Sequence, residues 1–584
     1  MSGARGRLSP LAARDVKGAE SRRALASMPA AADAWSARGA EDLARGDLSA
    51  AIRAFGRQVS CDAGSADAAG DLGVLLDMSG DRGRAITWSR RAVALAPASG
   101  PKLRNLGILE RGPEESDAST TLFVRATIVD DRDAQSWQAL GDTTLQRSET
   151  VAAERSFRRA AALAPGTGPH WLGLGIAQQR RDKVADAVTA LRRATSIEPL
   201  SASGLANLAV AEHQAGRRAA ADRFARAAAA LDPARAIAWT CLGIPMIAED
   251  RRADARRLFR RALLLDPALA EPAVNLALLD LLERNYVAGW QGFERRWHRV
   301  VYGVSTSRRS ACAWNGERRP ADGLLLWAEP EQALGDTILF ARFAAMARER
   351  VGHVAVECEE SLRTLVGGIA GIDETVARGS AGARRAIEAP LMGLPRLFGT
   401  TGDAIPGPIP YAAADPARTR AWRARLEALP GLRVGLCWRG NPRFGGDRTR
   451  SPGLAPMAPL FAVPGISLVA LVKDRGPGES LSDGIFDPMT EIRDFAETAA
   501  LLSALDLVVT SDTAVANLAG ALGLDAWIIL QHTPDWRWML SGERTPWFPT
   551  LRLWRQDRPG DWTGVVRRVA EGLASGPGAG GRLN

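Results

Sequence analysis

Three short turns carry residue types suited to chemistry on an anionic substrate. They are EQALGDT at 331–337, RGNP at 439–442 and SDTA at 511–514. In the first, Asp336 follows Gly335 and opens the run TILFARF, which places its carboxylate at a helix N-terminus. There it can take a proton from an attacking hydroxyl, or serve as a helix N-cap. Asp336 is the only well-placed candidate base among the three turns. The other two offer backbone N–H groups, Asn and hydroxyls where a strand gives way to a helix, the usual place for a phosphate. Glycine and asparagine also build turns that hold no ligand. Jointly the three point to one cleft.

The stretch LDLVVTSDTAVANLAGALG, 505–523, explains how such a turn is positioned. Leu505, Leu507, Val508 and Val509 form an apolar run suited to a central parallel strand. Ser511, Asp512 and Thr513 break it and are all N-cap residues, and Ala514 to Leu522 is a good helix former with Gly523 at the C′ position. An ordinary strand-to-helix turn has the same pattern.

Similar alternation runs through the C-terminal half. Strands are expected at 324–327, 354–357, 433–438, 467–472 and 526–530, with helices at 417–429 and 495–503. GIAGIDETVARG, 368–379, reads as a loop returning to the sheet, and the Pro- and Gly-rich stretch 390–411 as a connection between lobes. The order implies parallel sheets with right-handed crossovers in two Rossmann-like lobes, 305–412 and 413–572, with a ligand cleft between them.

Ahead of this half the sequence repeats every 34 residues. One column reads Gly39, Gly73, Gly107, Gly141, Gly175, Ala209, Gly243 and Ala277, and a second, twelve residues on, runs from Ala51 to Gly289. Prolines 97, 165, 199, 233 and 267 mark repeat ends, with Asp131 in one gap, and an aromatic column holds Phe55, Phe123, Phe157, Phe259 and Phe293. These columns resemble the tetratricopeptide repeat, which implies eight helical hairpins over 31–301 stacked into an α-helical superhelix. Its groove suits a protein or peptide partner; a rigid spacer or a dimerising face is the alternative. The last unit, NYVAGWQGFERRW at 285–297, carries Trp290, Phe293 and Trp297, the kind of aromatic face that covers a junction with a neighbouring domain.

The composition limits the partners. Of 75 basic residues only Lys17, Lys102, Lys183 and Lys473 are not arginine, and the net charge of +9 is spread along an alanine-rich chain. No basic run is interleaved with aromatics, so nucleic acid is not expected as a partner. Cysteines 61, 241, 312, 358 and 437 form no metal-ligand spacing, and neither a metal nor a cofactor is expected. No membrane-length apolar run occurs, and the expected location is the cytoplasm. Residues 1–30 and 573–584 read as a poorly ordered segment and a flexible tail.

With these residues in view, the C-terminal half resembles the glycosyltransferase-type domain found behind tetratricopeptide arrays in bacterial proteins. That domain is related to the lipopolysaccharide heptosyltransferases and, more distantly, to the O-linked N-acetylglucosamine transferases. The motifs are NYVAGWQGFERRW, EQALGDTILFARF, VGLCWRGNPRFGGDRTRS, DFAETAALLSALDLVVTSDTAVANLAGALG and PDWRWMLSGERTPWFPTLRLWRQ. The resemblance implies a two-lobed twin-Rossmann (GT-B-type) fold and metal-independent sugar transfer from a nucleotide-sugar donor to a hydroxyl on a protein or glycan. Asp336 would be the base. Gly335, Trp438, Gly440 and Asn441 would belong to the cleft, Lys473 would face the diphosphate, and Asp512, Thr513, Ala514 and Asn517 would meet the donor. The sequence departs from the family at three places. Asn517 replaces the histidine of DTAVAH, Ala333 ends the EQG motif, and Gly393 replaces the serine before Leu394 and Pro395. Asn cannot take up a proton near neutral pH, so an acid role at 517 would be lost; His532, a little downstream, is either a substitute or a solvated loop histidine. A scaffold that has lost activity is the rival reading.

Overall fold

The computed structural model describes residues 32–111, 117–147, 149–298, 313–329, 334–380, 385–402, 405–441, 447–475, 479–482 and 484–575. Residues 1–30, the Glu331–Gln332–Ala333 triplet and the chain beyond 575 lie outside them, so those expectations are not addressed. The chain forms two compact units, residues 1–232 and 233–584.

In the first unit the described residues form twelve helices, from Ala32–Ala44 to Arg218–Leu231, paired in sequence order into six tetratricopeptide-like hairpins. The 34-residue columns have a steric origin. A Cβ on Gly141 would lie 2.7 Å from the Phe157 ring, and one on Gly107 would lie equally close to Phe123. Each glycine thus lets the second helix press a phenylalanine against the backbone of the first, and both phenyl rings are fully buried. Where the later residue is Ala225, the earlier one is Ala209, a second way to keep the helices close.

The arginine content, which looks like compositional bias in the sequence, ties successive repeats together. Arg147 reaches Asp117 at 2.6 Å, Arg111 donates to Thr143 Oγ1 at 2.9 Å, and Arg104 pairs with Asp133. Glu154, whose side chain is 1% exposed, is surrounded by Arg158, Arg181 and Lys183. Burial works against its charged form, but the three cations outweigh it and hold the carboxyl below the usual range.

The second unit begins with four more helices in two hairpins, Ala236–Ala248 with Arg252–Leu265 and Ala270–Leu282 with Tyr286–Phe293. It continues into an α/β region with two parallel sheets. The first sheet contains β1 (Arg319–Trp327), β2 (Val351–Cys358), β3 (Glu374–Ala377) and β4 (Ile387–Pro390) in the order β3-β2-β1-β4. The second contains β5 (Leu432–Cys437), β6 (Ile466–Ala470), β7 (Leu507–Ser511), β8 (Ala526–Leu530) and β9 (Leu551–Arg555) in the order β6-β5-β7-β8-β9. All pairings within the sheets are parallel.

Several expectations need correction. GIAGIDETVARG is not only a loop, because Glu374–Ala377 pairs with β2 as an edge strand. The supposed interlobe stretch opens with the end of β4 and a short helix, Leu394–Leu397. β9 and the helix Trp562–Ala574 complete the second sheet's side beyond the last strand read from sequence. The strand expected to run to Val472 ends at Ala470.

Of the aromatic residues of the last repeat, Tyr286, Trp290 and Phe293 are buried and Trp297 is half-buried. Trp290 is 3% exposed and meets Trp536, Phe340 and Trp547 edge-on. Beside them Arg296 and Glu329, both with fully buried side chains, pair at 2.7 Å. Burial opposes the charge on Arg296, but Glu329 and Glu294 overcome it and hold the guanidinium protonated.

A valine at Gly141 should lower the stability of the first unit by about 1–3 kcal/mol, because its side chain would displace Phe157 from a packed position. Thermal denaturation of Gly141→Val checks this, and an unchanged midpoint would show that the glycine column has another cause.

Candidate functional site

Strand order directs attention to two places. In the first sheet β2 and β4 lie on opposite sides of β1, and in the second β6 and β7 lie on opposite sides of β5. Crevices at such reversals, at the carboxyl ends of the strands, are where open α/β sheets bind ligands. The chain leaving β1 leads to the helix Leu334–Ala341 with Asp336 in its first turn. The chain leaving β5 carries Trp438, Gly440 and Asn441, and that leaving β7 carries Asp512 and Thr513 before the helix Ala514–Ala521.

The two helices meet at Gly335. A Cβ there would lie 2.7 Å from Asn517 Nδ2 and 3.3 Å from Ala514 Cα, so Gly335 and Ala514 are small because the helices cross at that point. Thr513 is the N-cap, its Oγ1 accepting from Val515 N at 3.2 Å. Gly523, with φ of +67°, ends the helix as expected. Asn517 is 2% exposed and donates from Nδ2 to the Thr513 carbonyl at 3.1 Å.

The centre of this contact is Arg537, which the sequence reading did not single out. Its guanidinium donates to Asp336 Oδ1 at 2.5 Å, to Asn517 Oδ1 at 3.1 Å and to Asp535 Oδ1 at 2.8 Å. Arg537 is 7% exposed, and the neighbouring carboxylates hold it protonated against the cost of burial. One guanidinium thus joins Asp336, Asn517 and the turn Trp536–Trp538. The signal available in the sequence was PDWRW itself, an arginine flanked by tryptophans after a strand.

Asp512 lies in the same cluster. Burial, reinforced by Asp535, pushes its carboxyl up to about 6, while Arg537 and Arg450 pull the other way. Three carboxylates, Asp336, Asp512 and Asp535, therefore share the neighbourhood of Arg537.

The remaining predicted residues have separate places. Trp438 is fully buried and donates from Nε1 to Glu479 Oε1 at 3.1 Å, so its indole packs in the core. Gly440 sits where a Cβ would lie 2.6 Å from Asp447 Oδ1 and 3.5 Å from Thr513 Cγ2, which brings the β5 loop onto the β7 turn. Asn441 is exposed in that loop. Lys473 is exposed and donates from Nζ to the Ile492 carbonyl at 3.1 Å. His532 is anchored on the chain after β9, its Nδ1 3.3 Å from the Gln556 carbonyl oxygen and its backbone N–H donating to Gln556 Oε1. Among the described residues no group of three His, Cys, Asp or Glu side chains could hold a metal ion, and no helix is long and apolar enough to cross a membrane.

No family model matches the chain. Protein FlbA of Caulobacter vibrioides is 28% identical over 321 residues, covering 49% of this chain and 52% of that protein, so the chain spans about half the length of the curated relative it matches. Solved structures with some likeness include MamA, with 22% identity over 28% of this chain and 94% of its own, at a TM-score of 0.26. YrrB, described as a TPR protein with an unusual peptide-binding site, is 16% identical over 32% of this chain and 96% of its own, at a TM-score of 0.29. The Cut9–Hcn1 assembly is 16% identical over 51% of this chain and 60% of its own, at a TM-score of 0.35. At these scores the likenesses carry no argument about this chain.

The elevated Asp512 carboxyl makes a signed prediction. The folded chain binds this proton more tightly than the unfolded chain, so the group's contribution to stability falls as pH rises from about 4 through about 6. Asp512→Asn should therefore gain in melting temperature relative to the parent between pH 4 and pH 7. A difference that is constant with pH would contradict the burial of an ionisable group there.

Proposed function

We propose that the chain joins a protein-binding repeat array, 31–301, to a two-lobed, GT-B-type sugar-transferase site formed by the lobes 305–412 and 413–572. In this reading a nucleotide-sugar donor is held mainly by the C-terminal lobe and its sugar passes to a hydroxyl of a protein or glycan. The observation that carries the reading is convergence. Gly335 of the β1 crevice meets Ala514 and Asn517 of the β7 helix, and Asp336 shares Arg537 with Asn517, although about 180 residues separate them in sequence. Asp336 takes the acceptor proton in this scheme. In this scheme Gly440, Asn441, Thr513 and Ala514 would meet the donor, and Lys473 would face its diphosphate.

A second reading, a scaffold without turnover, has its own support. Asp336 already accepts from Arg537, and the carboxylates around that guanidinium leave the seat acidic and poorly suited to a diphosphate. Asn517 in place of a histidine points the same way, since it cannot carry a proton. In this reading the repeats retain their partner and the α/β region is a folded platform.

Thermal shift with UDP-, GDP- and ADP-sugars separates the two. A donor at about a hundred times its dissociation constant should stabilise the full chain by roughly 2.7 kcal/mol. Asp336→Asn should then abolish transfer with donor affinity nearly intact. No shift with any donor would favour the scaffold, and full activity in Asp336→Asn would remove that residue from the role of base.

A further inference from the structure

The Arg537–Asp336 contact is flanked by two aromatic rings that the last repeat touches. Trp536 precedes Arg537, and Phe340 lies one helical turn beyond Asp336 on the same face of Leu334–Ala341. These two rings stack on each other with centroids 6.3 Å apart. Trp290 stands edge-on to both, 5.1 Å from Trp536 and 6.2 Å from Phe340. One indole of the repeat hairpin therefore touches the neighbour of each member of the ion pair.

A second contact fixes the exit of the same turn. Met539 has φ of +64°, a left-handed backbone that a side chain disfavours by about 1 kcal/mol or more and that persists only where its surroundings hold it. Arg555 supplies part of the hold, donating to the Met539 carbonyl at 2.8 Å and the Trp538 carbonyl at 2.5 Å. The Met539 N–H also donates to the Trp536 carbonyl at 3.2 Å, and Tyr286 adds a contact from the repeat hairpin. Its hydroxyl donates to Met539 Sδ at 3.5 Å and accepts from Trp547 Nε1 at 3.3 Å, with the ring 2% exposed.

We propose that Tyr286 and Trp290 are positioning residues for Asp336: they seat the Trp536–Trp538 turn, and the turn carries Arg537 onto the carboxylate. The last repeat hairpin is thus a working part of the candidate site. Displacing this hairpin would therefore move Arg537 relative to Asp336. The catalytic consequence rests on the transferase reading; the mechanical link does not.

Hydrogen–deuterium exchange on the full chain tests the link without any substrate. Tyr286→Phe removes one buried hydroxyl with two hydrogen bonds, and amides of 535–539 should exchange about fivefold faster or more, with a smaller rise over 335–341. Trp290→Leu should accelerate both segments more strongly, and Trp290→Phe should recover part of the protection. Phe259→Leu, a comparable cut in the neighbouring hairpin, should leave both segments at parental rates. Unchanged exchange in Tyr286→Phe and Trp290→Leu, or an equal response to Phe259→Leu, would overturn the proposal. A donor panel that shows no binding would remove the transferase reading and leave this exchange result standing.

Discussion

A buried guanidinium that must be neutralised organises the α/β region. Arg537 loses its water on folding, and an uncompensated charge there would cost several kcal/mol. Asp336 and Asp535 meet that demand as ion-pair partners, and the Asn517 carbonyl oxygen satisfies a further donor. The partners come from the helix after β1, the helix after β7 and the turn after β8. Satisfying one side chain therefore fixes where these three elements stand, and the small residues Gly335 and Ala514 let them approach that closely.

The same interaction shapes what the site can do. A carboxylate held by a guanidinium is oriented, which a general base requires, and also occupied, which a general base must overcome when its acceptor arrives. Asp512 adds to the tension, because burial beside Asp535 favours its neutral form. The cluster is thus poised between a pre-organised reaction centre and a structural clasp, and the difference lies in whether a ligand can compete for Arg537. Trp290 and Tyr286 bear on that competition because they support the turn from which Arg537 projects.

What could be read from the sequence follows the range of the forces involved. The repeat columns were legible because one local contact, a small residue against the side chain sixteen residues on, recurs along the array, with phenylalanine as the partner of Gly39, Gly107, Gly141 and Gly243. The helix Ala514–Ala521 was legible because its cap, its apolar face and its terminating glycine are all local signals. The approach of Asp336 to the β7 helix was anticipated only through the order of strand-end turns. Arg537 was missed because its role depends on a partner 201 residues away, and nothing in PDWRW reports that distance. For Trp438 the resemblance implied a place in the cleft and the residue type alone favoured core packing; its ring is fully buried, and its indole N–H donates to Glu479, 41 residues on. The short edge strand β3 escaped notice because only four residues pair and they are half-exposed, without the apolar run of a central strand.

Asp336, on the helix after β1, and Arg537, in the turn after β8, act as one interaction. A double-mutant cycle on the full chain, with Asp336→Asn, Arg537→Gln and both together followed by denaturant unfolding, measures it directly. The expected coupling is about 1.5–3 kcal/mol, the range for hydrogen bonds to charged groups. Single-variant effects that add to within about 0.5 kcal/mol would contradict it.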